Sequence, residues 1–126
     1  MITDGPLILV VDDELPLRRL LEKLLTRSGF GVITAEGGRE ALTLLEGGAV
    51  PAVVLLDLLM AGMNGVEFVQ AARERGHEFP TILVSASPEA PGHARDLRLA
   101  GHVEKPYRFN VLLSAVQGVL AARPAG

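Results

Sequence analysis

The chain of 126 residues carries 12 Lys and Arg against 15 Asp and Glu, a formal net charge of −3, and contains no cysteine. Disulfides, thiolate nucleophiles and cysteine-based zinc sites are thereby excluded, and neither the charge balance nor any Lys/Arg run supplies a surface for direct nucleic-acid binding. Apolar residues make up 48%, enough for one domain with a core that needs no staples. No uninterrupted apolar stretch approaches the ~20 residues of a membrane span, and residues 1–6 lack the basic and apolar regions of a secretory signal. A cytoplasmic domain without membrane insertion is the expectation.

Leu7–Val11 is a continuous aliphatic and β-branched run, as expected of a strand covered on both faces, and it stops at Asp12-Asp13-Glu14. Leu17, Leu20, Leu21, Leu24 and Leu25 then recur with the period of a helix that tolerates Pro16 in its first turn and stops at Gly29. Gly31–Ala35 is a weaker strand candidate, and Ala41, Leu42 and Leu45 mark a second helix ending at Gly47-Gly48. Residues 52–56 form another continuous run, which delivers Asp57. Asn64-Gly65-Val66-Glu67 has the form of a capping box opening a third helix. Residues 81–84 predict a fourth strand followed by Ser85. Pro88, Pro91 and Gly92 then occupy the first half of the next helical segment, at a cost of ~3 kcal/mol for an interior proline and about 1 for glycine. The fourth helix is therefore expected to be short, late or mobile, starting no earlier than Gly92 or His93 and reaching Ala100. Residues 102–104 predict a short strand before Lys105-Pro106, and Leu112, Val116, Val119 and Leu120 form the buried stripe of a last helix. Strands alternating with helices imply right-handed parallel βαβ units and a doubly wound α/β sheet.

In such a sheet, ligands bind beyond the C-terminal ends of the strands. Asp12-Asp13, Asp57, Ser85 and Lys105 each sit at or just past such an end. Three carboxylates, a hydroxyl and an ammonium gathered on one edge make a Mg²⁺ and phosphoryl site. Each motif alone has a plainer reading. Acids favour helix N-termini, Asp57 could simply end a strand, Ser85 could be a loop serine and Lys105-Pro106 a turn. Gly62 and Gly65 need only turn geometry, while Met60 and Met63 pack. His77, His93 and His102 are too scattered for a metal set.

In order, the motifs Val10-Val11-Asp12-Asp13-Glu14, Asp57-Leu58-Leu59-Met60-Ala61-Gly62-Met63-Asn64-Gly65, Ser85-Ala86 and Lys105-Pro106-Tyr107 resemble a two-component response-regulator receiver domain. The resemblance covers residues 5–122, with 1–4 and 123–126 as flexible termini. It implies a CheY-like, flavodoxin-like fold of five parallel strands ordered 2-1-3-4-5. It makes Asp57 the phosphoacceptor for a histidine kinase or phosphotransfer protein. Mg²⁺ would be held by Asp12, Asp13, Asp57 and the backbone carbonyl of Leu59, oxygen donors that suit this hard ion. Lys105 and Ser85 would contact phosphoryl oxygens, with Ser85 and His102 at the switch positions and a cis bond between Lys105 and Pro106 aiming the lysine inward. The chain would not be an enzyme beyond its own phosphorylation and dephosphorylation. It would signal to a downstream protein target, either standing alone or as a fragment of a longer regulator.

Departures from the pattern qualify this. His102 is a smaller, ionisable ring where most receivers place an aromatic switch residue. The span from Ser85 to Lys105 is short, which makes the surface around the fourth helix atypical for dimerisation. Ala61 replaces a usual proline. Leu59 is apolar where many relatives are polar, and is expected to shield an acyl phosphate from water. A degenerate receiver that binds partners without phosphorylation is the main alternative. An aspartyl-phosphate phosphohydrolase would want a second aspartate where Leu59 stands, a general acid and a cap. In a flavodoxin-type cofactor binder, the three carboxylates would repel a flavin phosphate.

Overall fold

The computed structural model describes residues 5–122. Its elements are β1 (Leu7–Val11), α1 (Leu15–Arg27), β2 (Gly31–Ala35), α2 (Gly38–Glu46), β3 (Val53–Leu56), α3 (Gly65–Glu74), β4 (Thr81–Ser85), α4 (Ala90–Asp96), β5 (Gly101–Glu104) and α5 (Phe109–Ala121). The five strands are parallel in the order β2-β1-β3-β4-β5, the doubly wound, flavodoxin-like receiver arrangement. The residues expected to be flexible termini lie outside the described part of the chain. Among the described residues no helix is long and apolar enough to cross a membrane.

The continuous strand runs conceal a period of two. In β1, Leu9 and Val11 point into a core with Leu42 and Leu45 of α2 and Phe68 and Val69 of α3. Ile8 and Val10 point the other way, to Leu21 and Leu25 of α1 and Leu112 and Val116 of α5. Successive side chains leave opposite faces of a strand. A strand with helices on both sides must therefore be apolar at every position, as β1 and β3 are. The edge strand β5 is covered less well: Val103 is buried while His102 and Glu104 are exposed.

Local signals hold where the backbone alone decides. The Asn64–Glu67 capping box forms reciprocally: the Glu67 N–H donates to Asn64 Oδ1 at 2.8 Å and the Asn64 N–H to Glu67 Oε1 at 3.0 Å. The fourth helix corrects the expected bounds. It is short, but it begins at Ala90 and ends at Asp96, earlier at both ends than the expected span to Ala100. Pro91 falls in the first helical turn, where its missing N–H has no intrahelical partner to lose. The early stop has a structural cause. α1, α2 and α3 each close with a pair of Schellman hydrogen bonds around Gly29, Gly48 and Gly76, all at positive φ. α4 closes the same way, with the Leu99 N–H donating to the Ala94 carbonyl at 2.8 Å and the Arg98 N–H to the Arg95 carbonyl at 3.1 Å. Here the left-handed position is Arg98, at φ 56°.

A non-glycine residue in that region costs roughly 1–2 kcal/mol, partly offset on substitution by the greater chain entropy of glycine in the unfolded state. Arg98→Gly should therefore raise stability by up to about 1 kcal/mol, read as a higher urea midpoint at unchanged slope; an unchanged or lower midpoint would contradict it.

Candidate functional site

Sheet register brings the chemistry-bearing residues to one edge. Val11 pairs with both Ala35 and Leu56, Leu56 with Leu83, and Ser85 with Glu104. The ladders continue past the strand ends: the Asp12 N–H donates to the Ala35 carbonyl (3.1 Å), the Asp57 N–H to Val11 (3.0 Å) and the Lys105 N–H to Ser85 (3.0 Å). The functional backbone is thus an extension of the sheet. Gly65 has a further role beyond turn geometry: a Cβ there would lie 2.7 Å from the Asp57 carbonyl oxygen. Its absence lets the start of α3 press against the loop that carries Asp57.

The side chains converge. Lys105 Nζ lies 3.1 Å from Asp12 Oδ2 and 3.6 Å from Asp57 Oδ2, and Asp12 (4% exposed), Asp57 (6%) and Ser85 (3%) are buried. Asp12 Oδ1 accepts from the Glu14 N–H at 2.8 Å, and Asp57 Oδ1 from the Leu59 N–H at 3.3 Å. Asp13 is exposed and its Oδ2 accepts from the Ala61 N–H at 3.4 Å. One carboxylate oxygen from each of Asp12, Asp13 and Asp57 lies within 4.8 Å of the other two. Ser85 Oγ accepts from the Ser87 N–H at 3.0 Å, leaving its hydroxyl hydrogen to donate elsewhere. The Lys105–Pro106 peptide bond is cis.

Three acids and one ammonium leave the site short of positive charge. Burial raises the Asp57 pKa; Lys105 pulls it down, while the charges of Asp12 and Asp13 push it further up, and the net direction is upward. Burial would lower the Lys105 pKa, but the hydrogen bond and charge of Asp12, with Asp57 and Glu14, outweigh it and hold the ammonium above its usual range. The donor set is all hard oxygen, clustered, and anionic beyond what Lys105 neutralises, so it fits a divalent cation such as Mg²⁺.

The three histidines lie apart from this cluster. His102 is exposed on β5 opposite Leu83, below the level of the site. His77 lies 3.4 Å from Glu46 and His93 3.9 Å from Glu89, so each faces a glutamate outside the Asp12, Asp13 and Asp57 cluster. Leu59 is 65% exposed beside Asp57. Two features carried no signal in the sequence. Arg18 Nη1 donates to the Asp12 carbonyl at 2.7 Å, although no motif links those positions. The Tyr107 hydroxyl is buried with no hydrogen-bond partner among the described residues, and burial together with the charge of Asp12 pushes its pKa up to about 12.

A doubly wound α/β domain with an acidic cluster and a lysine at its C-terminal sheet edge is the class defined by this fold and site. The chain matches the response regulator receiver domain family over residues 8–117, and it belongs to that family. It is 33% identical over 115 residues to the transcriptional regulatory protein CpxR of Escherichia coli, covering 90% of this chain and 48% of that protein. To the probable transcriptional regulator ycf27 of Porphyra purpurea it is 36% identical, covering 90% and 46%. The chain thus spans about half the length of these curated relatives. Among solved structures, chemotaxis protein CheY4 of Vibrio cholerae superposes with a TM-score of 0.84 at 32% identity, covering 92% of this chain and 99% of that one. Response regulator TrrA of Thermotoga maritima, in complex with Mg²⁺-BeF, gives 0.81 at 32% identity, covering 91% and 99%.

Because burial favours the neutral form of Asp57, its ionisation opposes folding. That opposition is absent below the ordinary carboxylate value of 3.8 and complete above the raised folded-state pKa. Without divalent metal, Asp57→Asn should therefore melt higher than the parent at pH 7, the gap closing as the pH falls toward 4, as followed by circular dichroism. A gap that is the same at both pH values would contradict this.

Proposed function

We propose that this chain is a phosphorylation-controlled receiver, spanning residues 5–122, in which Asp57 accepts a phosphoryl group. The observation that carries the reading is the sharing of one ammonium, Lys105, between Asp12 and Asp57 in a cluster where three carboxylates approach within 4.8 Å. In the transfer, an Asp57 carboxylate oxygen forms a bond to phosphorus as the phosphorus–nitrogen bond of a kinase phospho-imidazole breaks, and the imidazole leaves with that electron pair. Such transfer relies on positioning and on neutralising charge at the equatorial oxygens.

The chain's own groups meet those needs. The Leu59 N–H holds Asp57 Oδ1 at 3.3 Å, and the ladder bond to Val11 fixes its backbone. Lys105, already 3.6 Å from Asp57 Oδ2, is placed to move onto a phosphoryl oxygen. Ser85 keeps a donor for another oxygen and, through Ser87, couples the modified site to the loop before α4. Mg²⁺, held by Asp12, Asp13, Asp57 and the Leu59 carbonyl, would screen the acids and the incoming phosphoryl group from one another. His102, exposed on the edge strand, takes the second switch position. The partners are a histidine kinase or phosphotransfer protein and a downstream protein target.

Incubation with acetyl phosphate and Mg²⁺ should add one phosphate by intact mass, and none in Asp57→Asn or in chelator. No adduct, together with no beryllofluoride binding, would favour a receiver that acts without phosphorylation. Leu59, exposed two residues past Asp57, is proposed as an apolar shield for the acyl phosphate. Leu59→Asn should shorten the half-life of the phosphorylated protein severalfold, and an unchanged half-life would sink that role.

A further inference from the structure

Asp12 is held at all four of its polar groups. Its N–H donates to the Ala35 carbonyl at 3.1 Å. Its Oδ1 accepts from the Glu14 N–H at 2.8 Å and its Oδ2 from Lys105 at 3.1 Å. The fourth group, the carbonyl, accepts from Arg18 Nη1 at 2.7 Å, the shortest of the set. The first bond extends the sheet, the second closes a local turn, and the third is the ion pair already described. Arg18 reaches back from α1 for the fourth, immobilising a long side chain at an entropic cost for a charge-assisted hydrogen bond.

The carbonyl that it holds belongs to the peptide unit joining Asp12 to Asp13. Fixing that oxygen fixes the plane of the peptide between two neighbouring carboxylates. Asp13 needs such a constraint, because it is exposed and its carboxylate is tethered by the long, 3.4 Å contact from the Ala61 N–H. We infer that Arg18 is a positioning residue, which orients the Asp12–Asp13 peptide so that both carboxylates face one divalent cation. The inference rests on the proposed reading of the acidic cluster as a cation site.

Charge and positioning make opposite forecasts. A guanidinium near a cation site repels the incoming ion, so if Arg18 acted by charge alone, its removal would tighten metal binding. As the residue that orients the ligands, its removal loosens binding, as loss of an outer partner of a metal ligand does in general.

The test is calorimetric titration of the full chain with Mn²⁺ at matched ionic strength. Arg18→Ala should bind about tenfold more weakly than the parent. Arg18→Lys, which keeps a cationic donor, should fall between the two. Equal or tighter binding by Arg18→Ala overturns the inference while leaving the cation site intact; a parent that binds no Mn²⁺ overturns both. If metal-free melting shows Arg18→Ala to be unfolded, Arg18→Lys decides: weaker binding at an unchanged midpoint supports positioning, and parental affinity overturns it.

Discussion

The ammonium of Lys105 stands between Asp12 Oδ2 and Asp57 Oδ2, at 3.1 and 3.6 Å, and much of the site is arranged around that contact. Two buried carboxylates and a third at the rim cannot share one cation without residual repulsion, and burial enlarges the penalty because protein screens charge less well than water does. Burial first, and then the neighbouring charges of Asp12 and Asp13, raise the Asp57 pKa against the pull of Lys105. The shortage of positive charge makes the cluster receptive to a divalent ion, so the destabilising feature and the proposed functional one are a single electrostatic fact.

Such a cluster holds its shape only on a stiff support. The sheet provides it: β3 throughout and β1 from Ile8 onward are buried between two helical layers, and the hydrogen bonds made by the Asp12, Asp57 and Lys105 N–H groups carry the ladder one residue past the strands. The acids are presented from backbone that has little freedom to relax away from them. Close packing also reaches in from the helices, through Gly65 against the Asp57 carbonyl and through Arg18 on the Asp12 carbonyl.

The β4–α4 side is held differently. Ser85 Oγ accepts from the Ser87 N–H, and Ser87 Oγ from the Glu89 N–H, so a chain of serine turns links the buried site to the start of α4. That helix has 7 residues, no side-chain cap, and a C-terminal left-handed turn occupied by Arg98. A rigid sheet edge thus adjoins a short helix through a hydroxyl at the site, the connection on which the proposed coupling of the site to α4 relies.

The elements legible in the chain are those governed by backbone sterics and burial. Continuous aliphatic runs marked β1, β3 and β4, with weaker signals for β2 and β5, while the leucine period marked α1, and Asn64 with Glu67 marked the start of α3. Strand alternation with helices placed the polar residues at strand ends, because parallel connections put all those ends on one edge. The bounds of α4 escaped this reading, since Pro91 is harmless in a first turn and Arg98 takes a conformation usually left to glycine. Tertiary structure alone decided the distances between Asp12, Asp57 and Lys105, the seating of Gly65 against Asp57, the burial of the Tyr107 hydroxyl and the reach of Arg18 to a carbonyl six positions back. Each depends on sheet register and side-chain direction across elements, whereas sequence periodicity reports only which face of its own element a residue occupies.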